Sequence, residues 1–133
     1  MAFLAQGRVS NPVVLTGDIH SSWAADLKSD FTDASSPIVG AEFVCTGLTS
    51  SFGDANVQLT MATLPSNPHI RFFDGLFRGY ALCSVTPESW RTDFRAVARI
   101  PHPTFTVPTP DAPLFDLASF RLVAGTPGLT RIL

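Results

Sequence analysis

The sequence predicts a strand-rich fold with little helix, on three observations. Short apolar runs with β-branched residues recur between Gly, Pro and Ser breaks. One stretch near residue 90 alternates apolar and charged residues with period two. No segment makes a convincing helix.

Pro12–Thr16, ended by Gly17, reads as a buried strand that delivers Asp18, Ile19 and His20 to its C-terminal end, where loops of α/β proteins carry function. Residues 21–27 are ambiguous between a short helix and a continuing strand. Residues 28–37, with Lys, Ser, Asp, Thr and Pro, read as a loop. Residues 38–46 form a second apolar strand, and 47–64, rich in Gly, Ser and Thr, read as irregular. Pro65-Ser66-Asn67-Pro68 marks a turn, 69–74 a strand, and 75–78 a connection.

The strongest local pattern is a hairpin. Its arms, 79–85 and 89–100, flank Thr86-Pro87-Glu88, where Pro pre-sets its own φ for a tight turn. In the second arm Trp90, Thr92, Phe94, Ala96, Ala98 and Ile100 alternate with Arg91, Asp93, Arg95, Val97 and Arg99, the pattern of a half-buried strand. Residues 101–113 hold prolines at 101, 103, 108, 110 and 113 and read as an extended connector. Residues 117–124 give a last strand, and the tail 126–133 is expected to be poorly ordered.

A chain of 133 residues fits one small domain or a piece of a larger one, able to bury roughly two-thirds of its unfolded surface. Its charged fraction of 15% is low against the usual ~25%, and it carries 11 Phe. Two explanations stand: a Phe-rich core, or apolar surface that faces another subunit or another part of the same protein. A net charge of −2 without a basic cluster carries no nucleic-acid signature. No apolar run reaches the ~20 residues of a membrane span, and residues 1–7 lack the pattern of a secretory signal. Cys45 and Cys83 read as free, buried cysteines, with a disulfide as the alternative; neither forms a C-x-x-C pair.

Gly17-Asp18-Ile19-His20 is the first chemical candidate. A carboxylate and an imidazole one residue apart, on a turn after a strand, can converge on one metal ion. Their hard oxygen and borderline nitrogen suit iron, zinc or manganese, and Gly17 would let the backbone turn sharply. The alternative is that Asp18 caps a turn and His20 hydrogen-bonds locally. A catalytic metal generally needs more ligands than two. His69, His102 and the carboxylates Asp26, Asp30, Asp33, Glu42, Asp54 and Asp74 show no second spaced cluster. Glu42, inside an apolar strand, calls for a structural partner such as an Arg. Ser21 and Ser22 lie beside His20, but there is no nucleophile elbow or phosphate-cradling Gly-rich loop. Trp23, Phe72, Phe73 and Tyr80 are either core residues or a substrate wall.

Segment order carries more than any one motif. Val13 to Trp23 resembles the final metal-binding motif of PhoD-like phosphatases: a strand, Gly-Asp-Val/Ile-His, then an aromatic residue. Ala25-Asp26-Leu27 follows in register. Glu42 to Ser50, Asn67 to Asp74, Arg78-Gly79-Tyr80 with its hairpin, and Leu117 to Phe120 with Gly125 to Gly128 resemble the family's next blocks in the same order. The resemblance covers about residues 11–128.

The resemblance implies an α/β fold of the calcineurin-like metallophosphoesterase superfamily, a β-sandwich flanked by helices, of which this segment is mostly strands and loops. It implies hydrolysis of phosphate esters, alkaline phosphatase or phosphodiesterase activity, with iron and calcium as cofactors and a small phosphoester as substrate. Asp18 and His20 carry over as metal ligands. The family's earlier motifs supply the other ligands and precede this block, so residues 1–133 are expected to be a C-terminal part of such a domain. Cys45, Cys83 and Tyr80 lie in the wrong place for those roles. Family members are typically exported. The chain alone is then expected to be inactive, its partner being the missing N-terminal part. The alternative is a truncated, non-catalytic remnant or an interaction module that completes another chain.

Overall fold

The computed structural model describes residues 1–97 and 112–133. Most of the proline-rich connector 101–113, residues 98–100 of the second hairpin arm, and His102 therefore lie outside the described residues. Among the described residues there are two four-stranded sheets and one α-helix. The strands are β1 (Val13–Thr16), β2 (Ser22–Lys28), β3 (Ile38–Val44), β4 (Ile70–Asp74), β5 (Arg78–Val85), β6 (Ser89–Val97), β7 (Leu114–Val123) and β8 (Thr126–Arg131), and the helix is α1 (Asp54–Thr63).

The first sheet has the order β1-β3-β2-β4, with β1 parallel to β3 and the other pairs antiparallel. The second is an antiparallel meander, β5-β6-β7-β8. The sheets share one core. Phe43 of β3 lies 6.2 Å from Phe94 and 6.5 Å from Phe120, ring centre to ring centre, and Phe72 of β4 lies 5.2 Å from Phe94. Fully buried Ala24, Ala41 and Ala118 leave room between these rings, the large–small interdigitation that close packing demands. Part of the Phe content is thus core.

The expected hairpin forms. Thr86 donates its N–H to the Ser89 carbonyl at 2.8 Å, and its hydroxyl accepts from the Ser89 N–H at 3.1 Å. Alternation along β6 is broken at one place: Asp93 is buried on the charged face. It accepts two bonds from the Arg91 Nε at 2.9 Å and one from the Ser119 hydroxyl, which satisfies a carboxylate that burial would otherwise penalise.

Three expectations need correction and one ambiguity is resolved. The tail is not disordered but is strand β8. Gly125, at φ 75, permits the tight turn after β7, and Leu129 then enters the core at 5% exposure. Residues 54–63, expected to be irregular, form α1, with Asp54 in its first turn, favoured there by the helix dipole. The helix buries only Val57, so it has no apolar stripe to read in the sequence. Its seat is Gly75, where a Cβ would lie 2.7 Å from Val57 Cγ2. The ambiguous residues after His20 are strand β2. Finally, β1 is not buried: it is an edge strand with one neighbour, and Val14 and Leu15 are 37% and 56% exposed.

A seam joins the sheets. Asp26 of β2, 3% exposed, accepts the Leu129 N–H of β8 at 2.8 Å and faces Arg71 at 3.5 Å. At the β7–β8 turn, Asn11 donates through its side-chain amide to the carbonyls of Val123 and Thr126, and Ser10 accepts the Gly125 N–H at 3.1 Å.

Candidate metal-ligand loop

The loop 17–20 leaves the C-terminal end of β1, whose parallel neighbour β3 ends beside it: the Cys45 N–H donates to the Thr16 carbonyl at 2.9 Å. Thr16 also donates its hydroxyl to Glu42 Oε1 at 2.9 Å. Glu42 is thus half-buried with Thr16 as partner, and the expected Arg is not the one that satisfies it.

The sharp turn falls elsewhere than expected. Gly17 keeps an ordinary backbone, and a Cβ there would meet only the Cys45 carbonyl, at 3.7 Å. The left-handed conformation belongs to Asp18 (φ 72) and His20 (φ 63). The Ile19 N–H bonds back to the Gly17 carbonyl at 2.9 Å, closing a three-residue turn around Asp18 in its strained hand. Asp and His tolerate this region better than most side chains, yet each such residue still costs about 1–3 kcal/mol.

The turn-closing backbone bond apart, no side-chain hydrogen bond of Asp18 or His20 compensates this strain. Neither the Asp18 carboxylate nor the His20 imidazole has a hydrogen bond, ion pair or ring contact with another described residue. Asp18 is exposed, His20 half-buried, and Ile19 between them is 49% exposed. A capped turn with a satisfied histidine is therefore not what the loop contains. An oxygen and a nitrogen donor stand unpartnered on a strained turn.

Other candidates are engaged elsewhere. Asp30 accepts from the Thr32 hydroxyl and N–H, and Asp33 from the Ser35 hydroxyl and N–H; these bonds hold both carboxyls below the ordinary range. Asp26 is the inter-sheet seam. Asp74 accepts the N–H groups of Leu76 and Phe77. His69 packs edge-on against Phe31 at 4.8 Å. Cys45 and Cys83 are free and partly buried. Phe72 belongs to the core, Trp23 and Phe73 pack together at 4.5 Å, and Tyr80 is 41% exposed. Among the described residues, no three His, Cys, Asp or Glu side chains are grouped to hold a metal, and no helix is long and apolar enough to cross a membrane. Two clefts, of about 230 and 440 Å³, open around residues 4–13 and contain neither Asp18 nor His20.

Sequence reasoning missed the left-handed backbone and the Ser21–Trp23 contact that follows it. Ser21 is wholly buried and its Oγ accepts the Trp23 Nε1–H at 2.7 Å. The sequence does contain a signal for it, a hydroxyl and an indole two residues apart at the entry to a strand.

Fold and loop together define a class, a two-sheet β segment that presents a carboxylate and an imidazole beyond a parallel edge strand. Comparison with known proteins gives the family. The model of the PhoD-like phosphatases matches residues 1–94. Alkaline phosphatase D of Bacillus subtilis (strain 168) is 40% identical over 127 residues, which are 93% of this chain and 22% of that protein. A solved PhoD structure superposes with a TM-score of 0.77 at 38% identity, over 99% of this chain and 24% of that one. The chain belongs to the PhoD-like phosphatase family, a family of phosphoric ester hydrolases, and spans less than a quarter of the length of these two relatives.

Proposed function

We propose that this chain supplies the last metal-ligand motif of a PhoD-like phosphoesterase site, with the Asp18 carboxylate and the His20 imidazole as two of the ligands. The observation that carries this reading is the strained loop, which holds two unpartnered donors of suitable chemistry side by side in sequence. The donor set fits a metal as far as it goes: hard oxygen with borderline nitrogen suits iron, and the carboxylate also suits calcium. Further ligands would come from the part of the relatives that this chain does not span. Metal ions bound there would activate water and neutralise phosphate oxygens during in-line displacement of a phosphomonoester or phosphodiester. The chain's own contribution is to hold two donors at the end of a strand anchored by β3.

The chain alone then hydrolyses phosphoesters poorly or not at all. Assay of the purified chain with p-nitrophenyl phosphate and bis-p-nitrophenyl phosphate, with iron and calcium added, is expected to give little turnover. Robust turnover that vanishes in Asp18→Ala and His20→Ala would overturn the incompleteness of the site while supporting the ligands. In a full-length relative, the same two substitutions at the matching positions are expected to abolish both activity and bound metal. A second reading, a module that completes another chain, is favoured by the exposed edge strand β1 with Val14 and Leu15 open to solvent, an unpaired strand edge being a template for pairing.

A further inference from the structure

We infer that Ser21 and Trp23 are positioning residues that hold His20, and through it the Asp18–His20 pair, in the geometry for metal binding; this rests on the ligand reading above. Two left-handed non-glycine residues persist only where the surroundings over-determine them. Within the loop the one turn-closing bond is that from Ile19 to Gly17, and the two donor side chains add none. The constraint must therefore come from the flanks.

The flank after His20 is built for this. Ser21 is fully buried, and its hydroxyl is tied to the Trp23 indole at 2.7 Å. Trp23 is itself fixed on both sides: its backbone pairs with Val44 of β3 and Phe73 of β4. Its ring packs on Phe73 at 4.5 Å, and Phe73 meets Phe52 at 5.8 Å. Gly75 lets α1 close over the same corner, where Val57, Phe52 and Phe73 meet. The chain one residue past the imidazole is thus pinned to an aromatic stack rooted in the sheet. A half-buried indole also has water as an alternative partner, so satisfying the Trp23 N–H does not by itself require Ser21.

Partners that orient metal ligands without touching the metal typically change affinity about 10–100-fold when removed. The clamp acts from the residue next along the chain and not on the imidazole itself, so about 10-fold is expected. The test uses the isotope-labelled chain and Mn²⁺ alone, followed by paramagnetic broadening of amide signals, which registers weak binding. In the parent chain, broadening is expected to centre on Asp18–His20. Trp23→Phe keeps the ring and removes the N–H; Ser21→Ala removes the acceptor. Both are expected to weaken Mn²⁺ binding about 10-fold and to shift the N–H to Hα coupling of His20 away from its left-handed value, with the signals of β5–β8 unmoved. Unchanged affinity and unchanged coupling in Trp23→Phe and Ser21→Ala, with the fold intact, overturn the clamp and leave the ligand reading standing. Absence of broadening at Asp18–His20 in the parent chain overturns the ligand reading and with it the role of the clamp.

Discussion

Asp26 and Asp18 sit on either side of the start of β2 and share one side chain, yet they occupy opposite regimes. Asp26 is 3% exposed, accepts the Leu129 N–H at 2.8 Å and has Arg71 beside it, on a regular strand. Asp18 is exposed, has no partner among the described residues and sits at φ 72. A buried carboxylate must be satisfied by the protein, so Asp26 stabilises the sandwich. A carboxylate on a strained turn with nothing to bond among the described residues stabilises nothing in this chain, which is the state the proposed ligand role requires. The same contrast separates the two ends of the molecule. The seam, where β2 meets β8, is closed by the chain itself; the loop end, beyond the open edge of β1, is not.

The largest break in this comparison comes from the core that both regions share. Phe43 touches the second sheet through Phe94 and Phe120, and Phe43→Ala is expected to cost about 3–5 kcal/mol. Urea denaturation followed by tryptophan fluorescence should show it as a lower midpoint of a single cooperative transition shared by both sheets. A variant in which one sheet unfolds and the other keeps its midpoint would show that the sheets are independent.

Next in size is Asp26→Ala, expected to cost about 2–3 kcal/mol because a buried N–H on Leu129 loses a charged acceptor. Arg71, half-exposed, remains solvated and adds little. Hydrogen exchange should show β8 opening first; uniform loss of protection across both sheets would place the seam elsewhere.

The strand pattern was legible because it rests on local chemistry: the period-two stretch 89–97 and the Thr86-Pro87 turn form as their residue types dictate. The missed elements have non-local causes. Strand β8 depends on Leu129 finding a core and Asp26 offering an acceptor 103 residues away. Helix α1 buries one residue, leaving no period to read, and its seat is a glycine in another loop. Val13–Thr16 is apolar enough to read as a buried strand, and its exposure depends on what lies beside it rather than on its own residues. At the site, residue types flagged Asp18 and His20. The strain was assigned in sequence to Gly17, because glycine is the usual owner of a left-handed backbone; here the two donors carry it.

Acid reads a third carboxylate that belongs with Asp26 rather than Asp18. The Asp93 carboxyl is held below the ordinary range first by the Arg91 hydrogen bond and further by Ser119. Its contribution is present above the ordinary carboxylate value, and it is lost as pH falls through the lowered folded value, that is, below about pH 4. Denaturation midpoints measured from pH 6 downward should fall more steeply in the parent than in Asp93→Asn over that range. Equal slopes would show that Asp93 is no more satisfied folded than unfolded. Asp30 and Asp33 shift in the same direction on the exposed loop, so the parent should keep part of its slope in Asp93→Asn.

The smallest effect isolates the loop. Asp18→Gly and Asp18→Ala both remove the carboxylate, so they differ only in backbone preference. At a position in a regular strand or helix, glycine is the worse of the two by about 0.5–1 kcal/mol, because its unfolded chain has more freedom to lose. At a position held at φ 72, alanine bears the left-handed penalty, and glycine should be the more stable by about 1 kcal/mol. The sign of the difference therefore reads the backbone at Asp18 without any metal present. A chain in which Asp18→Ala is the more stable would have an ordinary turn here, and the contrast with Asp26 would reduce to exposure alone. A chain in which Asp18→Gly is the more stable keeps its aspartate at a cost to its own stability, which is what a residue retained for a ligand should do.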